Sequence, residues 1–149
     1  MKTIGIMFQH LHWANQKILE TLKKVEGEIP LTRLLFSHIL FAEHVWFTRL
    51  KGLNSSHLPI WDDLSLEECE KLVMQNYQDF TEFLNGIGEE ELEGIISYKN
   101  NKGEEFQTSV RDILTHIALH GQYHRGQINQ RLRSDHFEPV NTDFITFVR

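Results

Sequence analysis

Residues 113–128 read ILTHIALHGQYHRGQI and carry His116, His120 and His124 at intervals of four. An α-helix turns about 100° per residue, so each step of four drifts by only about 40° and the three rings share one side of one helix. Ser109, with Asp112 in the first turn, supplies the start signal, and the pattern reaches Arg133. With His116 set at zero, Ile113 falls at about 60°, Ile117 at about 100°, Ile128 at about 120° and Leu114 at about 160°. The apolar centre is therefore at about 100°, and His124 (about 80°) and His120 (about 40°) turn inward while His116 sits at the rim. Two imidazoles one helical turn apart can hold one metal ion. A third ligand has to come from another segment, and His38 is the candidate.

Working outward, Ile4 to Val25 predicts a first helix. Ile4, Phe8, Leu11, Asn15, Ile18, Leu22 and Val25 form one buried stripe with a polar residue in its middle. Gly27 and Pro30 end it. A second helix runs from Leu31 to Gly52, with Leu35, His38, Ala42, Val45 and Arg49 as its inward stripe. His44 lies about 240° around from His38 and cannot share its site. Leu53 to Asp63 is a loop, broken by Asn54, Ser55, Ser56 and Pro59. Ser65 with Glu68 is a capping box that opens a third helix, carried by Leu66, Cys69, Val73, Asn76, Phe80, Phe83 and Leu84. Gly94 to Thr108 predicts a short β-hairpin around Asn100-Asn101-Lys102-Gly103, and Phe137 to Arg149 is a tail. Four helices joined by modest loops make an all-α, four-helix bundle with a hairpin before the fourth helix.

The chain has 149 residues, 40% hydrophobic and 24% charged, enough for one domain with a real core. A net charge of -6 argues against nucleic acid as a partner, since phosphate binding needs a basic face. A lone cysteine, Cys69, precludes an intramolecular disulfide and fits a reducing, cytoplasmic setting. No signal peptide and no membrane helix are expected.

A single inward histidine is usually a core residue hydrogen-bonded to a neighbour. Three of them among Leu and Ile leave several polar nitrogens in need of partners, and one cation satisfies all together. Spacing alone leaves both readings open. Two Glu-x-x-His motifs, as di-iron bundles need, are absent, and so is His-Glu-x-x-His. Cys69 on a helix stripe reads as a small core residue. His10, His12, His57 and His136 read as surface or rim residues, and Trp13 and Trp46 as core or interface aromatics. Glu43 reads as solvated, Gln127 beside His120 as an exposed polar residue or, less favoured, a hydrogen-bond donor behind the histidines, and Gly121 as a point where a neighbouring helix approaches closely.

These residues also resemble a known family. His12-Trp13-Ala14-Asn15, His38-Ile39-Leu40 with Ala42-Glu43 and Trp46, His116 through Gln127 ending in His-Arg-Gly-Gln, and Thr142-Asp143-Phe144-Ile145 through Arg149 are similar to the motifs of DinB/YfiT-like metalloenzymes. The resemblance covers nearly the whole chain, and its fourth-helix signature is the most specific part. It implies up-down-down-up connectivity with one long crossover, which residues 53–63 can supply. It implies a divalent metal on His38, His120 and His124, with His116 in support; Zn²⁺, Ni²⁺ and Fe²⁺ all accept imidazole. It further implies a homodimer and a small-molecule substrate. Characterised relatives include thiol-dependent S-transferases and a mycothiol-dependent isomerase, so the activity expected is activation of a low-molecular-weight thiol, or of water. The contrasting expectation is a non-catalytic, stress-inducible metal-binding bundle.

Overall fold

Four long helices fall where the periodicity predicts them. The computed structural model describes residues 1–149, with α1 at Lys2–Lys24, α2 at Pro30–Leu50, α3 at Leu66–Gly86, β1 at Ile95–Lys99, β2 at Glu105–Ser109, α4 at Val110–Ser134 and a short α5 at Phe144–Val148. Local chemistry sets the boundaries. Ser65 Oγ accepts from the Glu68 amide (3.1 Å) while Glu68 Oε2 accepts from the Ser65 amide (2.8 Å), so both halves of the capping box form. Ser109 Oγ caps α4 by accepting from the Asp112 amide at 3.1 Å. In the hairpin, β1 pairs antiparallel with β2 from Ile95 opposite Ser109 to Lys99 opposite Glu105. Asn100 Oδ1 closes its turn by accepting from the amides of Lys102 and Glu104, and Gly103 takes the positive φ of 80° that the turn requires.

Side-chain contacts give the helix directions. The Met1 ammonium meets Glu89, beyond the end of α3, and Lys23 meets Glu70 at its start, so α1 and α3 run antiparallel. Ser37 lies beside Cys69 and Phe47 beside Phe80, so α2 and α3 run parallel. Phe36 shares a core with Ile128, and Leu50 shares one with Val110, so α4 opposes α2. The connectivity is up-down-down-up. Each of α1 and α2 packs on both α3 and α4. Two parallel consecutive helices require a link that travels back along the bundle, and residues 51–65 do this while lying on α2. On the way Ser55 takes a hydrogen bond from Arg49, Ile60 takes one from His38, and the Leu64 amide donates to Ser37.

The crossover explains why α2 is buried without interruption from Phe36 to Glu43 rather than along one stripe. Glu43 is not solvated either: it lies on the face of α2 turned toward α1 and α3, is 2% exposed and sits at the bundle's centre. Asn15 Nδ2 donates to its Oε1 at 2.8 Å and Asn76 Nδ2 to its Oε2 at 3.0 Å. Arg125, wholly buried, donates from Nη1 to Asn15 Oδ1 at 2.8 Å. Each of the four long helices contributes one member of this layer, and the layer divides the core in two. One apolar cluster holds Ile18, Phe36, Val73 and Ile128, the other Leu11, Leu50, Phe80 and Ile117. Gly121 serves this layer rather than a helix crossing: a Cβ there would stand 3.0 Å from Arg125 Nη1. No helix is long and apolar enough to cross a membrane.

The tail is pinned to the bundle and ends in a short helix, α5, that the sequence pattern does not mark. Asn129 brackets Val140, donating to its carbonyl and accepting from its amide. His10 is buried, contrary to the rim position expected from sequence. Its Nε2 bonds the Thr142 carbonyl at 2.7 Å, and Phe144 and Phe147 of α5 pack edge-on against its ring. His12 is half-buried and stacks on Tyr77 at 3.8 Å, while His57 and His136 are exposed.

Candidate metal centre

The i, i+4 spacing on α4 sets His120 and His124 with their ring centroids 4.4 Å apart. On α2, which runs antiparallel across them, His38 presents its ring 5.1 Å from that of His120 and 4.6 Å from that of His124. One nitrogen from each of the three residues lies within 4.8 Å of the other two. His116 stands apart, exposed at the rim, with its ring 5.4 Å from His120 and 5.1 Å from Trp46. The structure thus brings together the three histidines singled out from sequence and leaves the fourth beside them.

Hydrogen bonds orient the rings. The Ile60 carbonyl can only accept, so His38 donates to it from Nδ1 (3.0 Å) and its Nε2 carries the lone pair. His124 likewise donates from Nδ1 to Gln127 Oε1 at 2.6 Å, which leaves its Nε2 as a bare acceptor. That nitrogen faces His120 Nε2 at 3.1 Å. Two nitrogens bound to one Zn²⁺ at about 2.0–2.1 Å in a tetrahedral arrangement would stand about 3.4 Å apart. The spacing therefore suits a shared cation as well as an N–H···N bond. Burial, reinforced by the neighbouring His124 and His38 rings, pushes His120 down to about 3. Burial also lowers His38 from its ordinary value, against the Ile60 hydrogen bond. Rings held neutral keep their lone pairs for a metal. The residues present fit a divalent ion: three imidazole donors, two of them with their other nitrogen committed to a carbonyl oxygen.

Sequence reasoning missed Trp61 here and ranked Gln127 as exposed ahead of its role as a partner to the histidines. Trp61, in the crossover, stacks on His38 with centroids 3.6 Å apart and planes 2° from parallel, yet remains 57% exposed. No periodicity marks a loop residue, so nothing in the pattern could have found it. Gln127 is engaged with His124 rather than simply exposed; its i+3 spacing was the available signal. A depression of about 270 Å³ opens beside these two residues, with Leu34, Leu35 and Arg131 among its walls. Cys69 is no alternative nucleophile. It is buried, and burial pushes its thiol up to about 11.

A four-helix bundle with up-down-down-up connectivity, two histidines on its last long helix and a third across from them, defines a class of helical bundles that could hold a metal. The chain belongs to the DinB family, whose profile matches residues 1–149. Among curated proteins it is similar to "Protein DinB" of Bacillus subtilis (strain 168), with 26% identity across 93% of this chain and 89% of that one.

Proposed function

We propose that the protein binds one divalent metal ion through His38, His120 and His124, and uses it as a metal-dependent enzyme acting on a small molecule. The convergence of three imidazole nitrogens from two helices, each within 4.8 Å of the others, carries this reading. Three protein ligands leave coordination positions open, as catalytic sites do and closed structural sites do not. When bound, such an ion supplies a Lewis acid that lowers the pKa of a thiol or a water molecule. The thiol ranks above water on family resemblance.

The chain's own residues have definable tasks. Ile60 and Gln127 hold His38 and His124 with Nε2 inward. Trp61 covers one face of His38 and shields it from water. The depression beside Trp61, with apolar Leu34 and Leu35 and a cationic Arg131, would seat an electrophile with an apolar body. No carboxylate stands over the three rings as a general base, so the proton of a thiol or water acidified by a bound ion would leave to solvent. The family resemblance extends the proposal to a homodimer, which light scattering would read as twice the chain's mass.

Metal analysis of untagged protein reloaded with Zn²⁺, Ni²⁺ or Fe²⁺ tests the first half, with one ion per chain expected. Incubation of the loaded protein with several thiols and a chlorinated nitrobenzene tests the second. Turnover no faster than the ion in buffer would leave a non-catalytic metal-binding bundle as the better description.

A further inference from the structure

Two arginines are buried in this protein, and they are treated differently. Arg125 shares its layer with the Glu43 carboxylate, reached through Asn15. Arg49 is 6% exposed and forms no ion pair with any carboxylate of the chain. Its guanidinium carbon lies 4.5 Å from the Trp46 ring and 5.1 Å from the Tyr98 ring. Nε donates to Ser55 Oγ at 3.1 Å, and the two Nη groups donate to no protein acceptor. A partly desolvated cation with no anion beside it is costly, and two aromatic faces recover only part of that cost.

The unpaired side of Arg49 lines a cleft of about 1060 Å³ between the crossover and the β-hairpin. Asn54, Ser56 and Gln107 line the same cleft and add amide and hydroxyl groups to its wall. Phe106, 44% exposed, gives it an apolar wall beside Tyr98. The one carboxylate on the lining, Glu105, pairs with Lys99 at 3.7 Å. Arg is suited to oxyanions because its planar fork matches a carboxylate or phosphate with two parallel bonds.

We infer that this cleft is a binding site for the oxyanion of a small organic molecule, with Arg49 as its charge partner and Tyr98 and Phe106 against its body. The inference does not depend on the metal reading. His116 lies between the two places, its ring against Trp46, but the cleft is built from different residues.

Amide chemical shifts of the full chain test it, in metal-stripped and metal-loaded protein alike, at constant ionic strength in sodium chloride. Benzoate, its neutral counterpart benzamide, and inorganic phosphate serve as probes. Saturable shifts at Ser55, Ser56 and Tyr98 with benzoate, at least tenfold weaker with benzamide, are the expected result. Saturation by phosphate alone would also support the oxyanion site, while reassigning its source to phosphorylated ligands. Arg49→Gln should weaken binding at least tenfold, and Arg49→Lys should weaken it less. Should Arg49→Gln fail to fold, Ser56→Glu on the exposed rim supplies the same test by placing a repelling carboxylate in the cleft. The same charge introduced by Gln75→Glu, on α3, should leave binding unchanged. Benzamide binding as tightly as benzoate, no saturable shift with either anion, undiminished binding by a folded Arg49→Gln, or equal effects of Ser56→Glu and Gln75→Glu would overturn the inference.

Discussion

Replacing Asn15 with leucine should unsettle both the fold and the histidine site, although Asn15 touches neither apolar cluster's interior nor any of the three rings. The amide is the joint between the two buried charges. It accepts from Arg125 Nη1 at 2.8 Å and donates to Glu43 Oε1 at 2.8 Å. Leucine keeps the volume and removes both bonds. Arg125 already has an unpartnered Nη2, so its guanidinium would retain only the bond from Nε to Gln122. Hydrogen bonds to charged groups are worth about 1.5–3 kcal/mol each, and breaking a buried charge network by removing one member costs about 3–5 kcal/mol. We expect a loss of about 3–5 kcal/mol, which in a chain of this size lowers the melting temperature by about 6–20 °C. Urea denaturation followed by circular dichroism measures the first quantity, and a thermal melt the second. Arg125 follows His124 directly on α4, so freeing its anchor should also loosen the rotation that aims His124 at His38, and metal affinity should fall in parallel. Changing Asn15, Glu43 and Arg125 together to apolar residues should cost less than Asn15→Leu alone, because no orphaned charge remains. A loss below about 1 kcal/mol for Asn15→Leu would refute the reasoning. It would mean that water entering the cavity of about 140 Å³ between α1 and α3, which Asn15, Glu43 and Asn76 line, already satisfies these groups.

Glu43→Gln should change the pH profile of stability. Burial pushes Glu43 up to about 7 from 4.5, so the folded state holds its proton more tightly than the unfolded chain does. Its contribution is fully present below pH 4.5 and is lost as pH rises through about 7; unfolding free energies at pH 5 and pH 8 should therefore shift in the variant's favour at the higher pH. His120 works in the opposite sense. Its folded value of about 3 lies below 6.5, so its contribution is present above pH 6.5 and fades as pH falls, a fade that His120→Ala should remove from the same measurements. Gly121→Ala gains about 1 kcal/mol of helix propensity but drives a methyl against the Arg125 guanidinium, 3.0 Å away, and should destabilise by about 1–2 kcal/mol net in a denaturant titration. His120→Ala and His124→Ala should each abolish one-to-one metal binding, while His116→Ala should not; equal loss in all three would mean that the ligand set is misassigned. Gln127→Leu removes the 2.6 Å bond that orients His124 and should weaken metal binding about 10–100-fold by isothermal titration.

The helices were legible because each carries its own local signals. The capping box at Ser65, the Ser109 cap, the breakers Gly27 and Pro30, and apolar spacing of three and four act within one or two turns of chain. The histidine pair on α4 was legible for the same reason, since residues four apart on a helix share a face whatever surrounds it. His38 was legible as an inward residue on its own stripe, but its meeting with His120 and His124 depends on α2 running antiparallel across α4. The misreadings share one cause. Glu43 looked solvated because polarity on a helix normally marks its outer face, and only the packing of α1, α3 and α4 around it supplies the Asn15, Asn76 and Arg125 partners that let a carboxyl face the core. His10 looked like a rim residue because the tail that covers it is remote in sequence. The asparagines of the central layer were visible as interruptions in two apolar stripes, yet the Arg125 and Glu43 charges between them were not.

Sequence alone determined the four long helices and which two imidazoles stand together, since these follow from backbone periodicity and short-range hydrogen bonding. Tertiary structure decided the rest: that Trp61 lies on His38, that four helices each give one residue to a buried charged layer, and that Arg49 faces a cleft without a carboxylate to neutralise it. Those arrangements join residues far apart in the chain, and only the packing of whole helices and the path of the crossover bring them into contact.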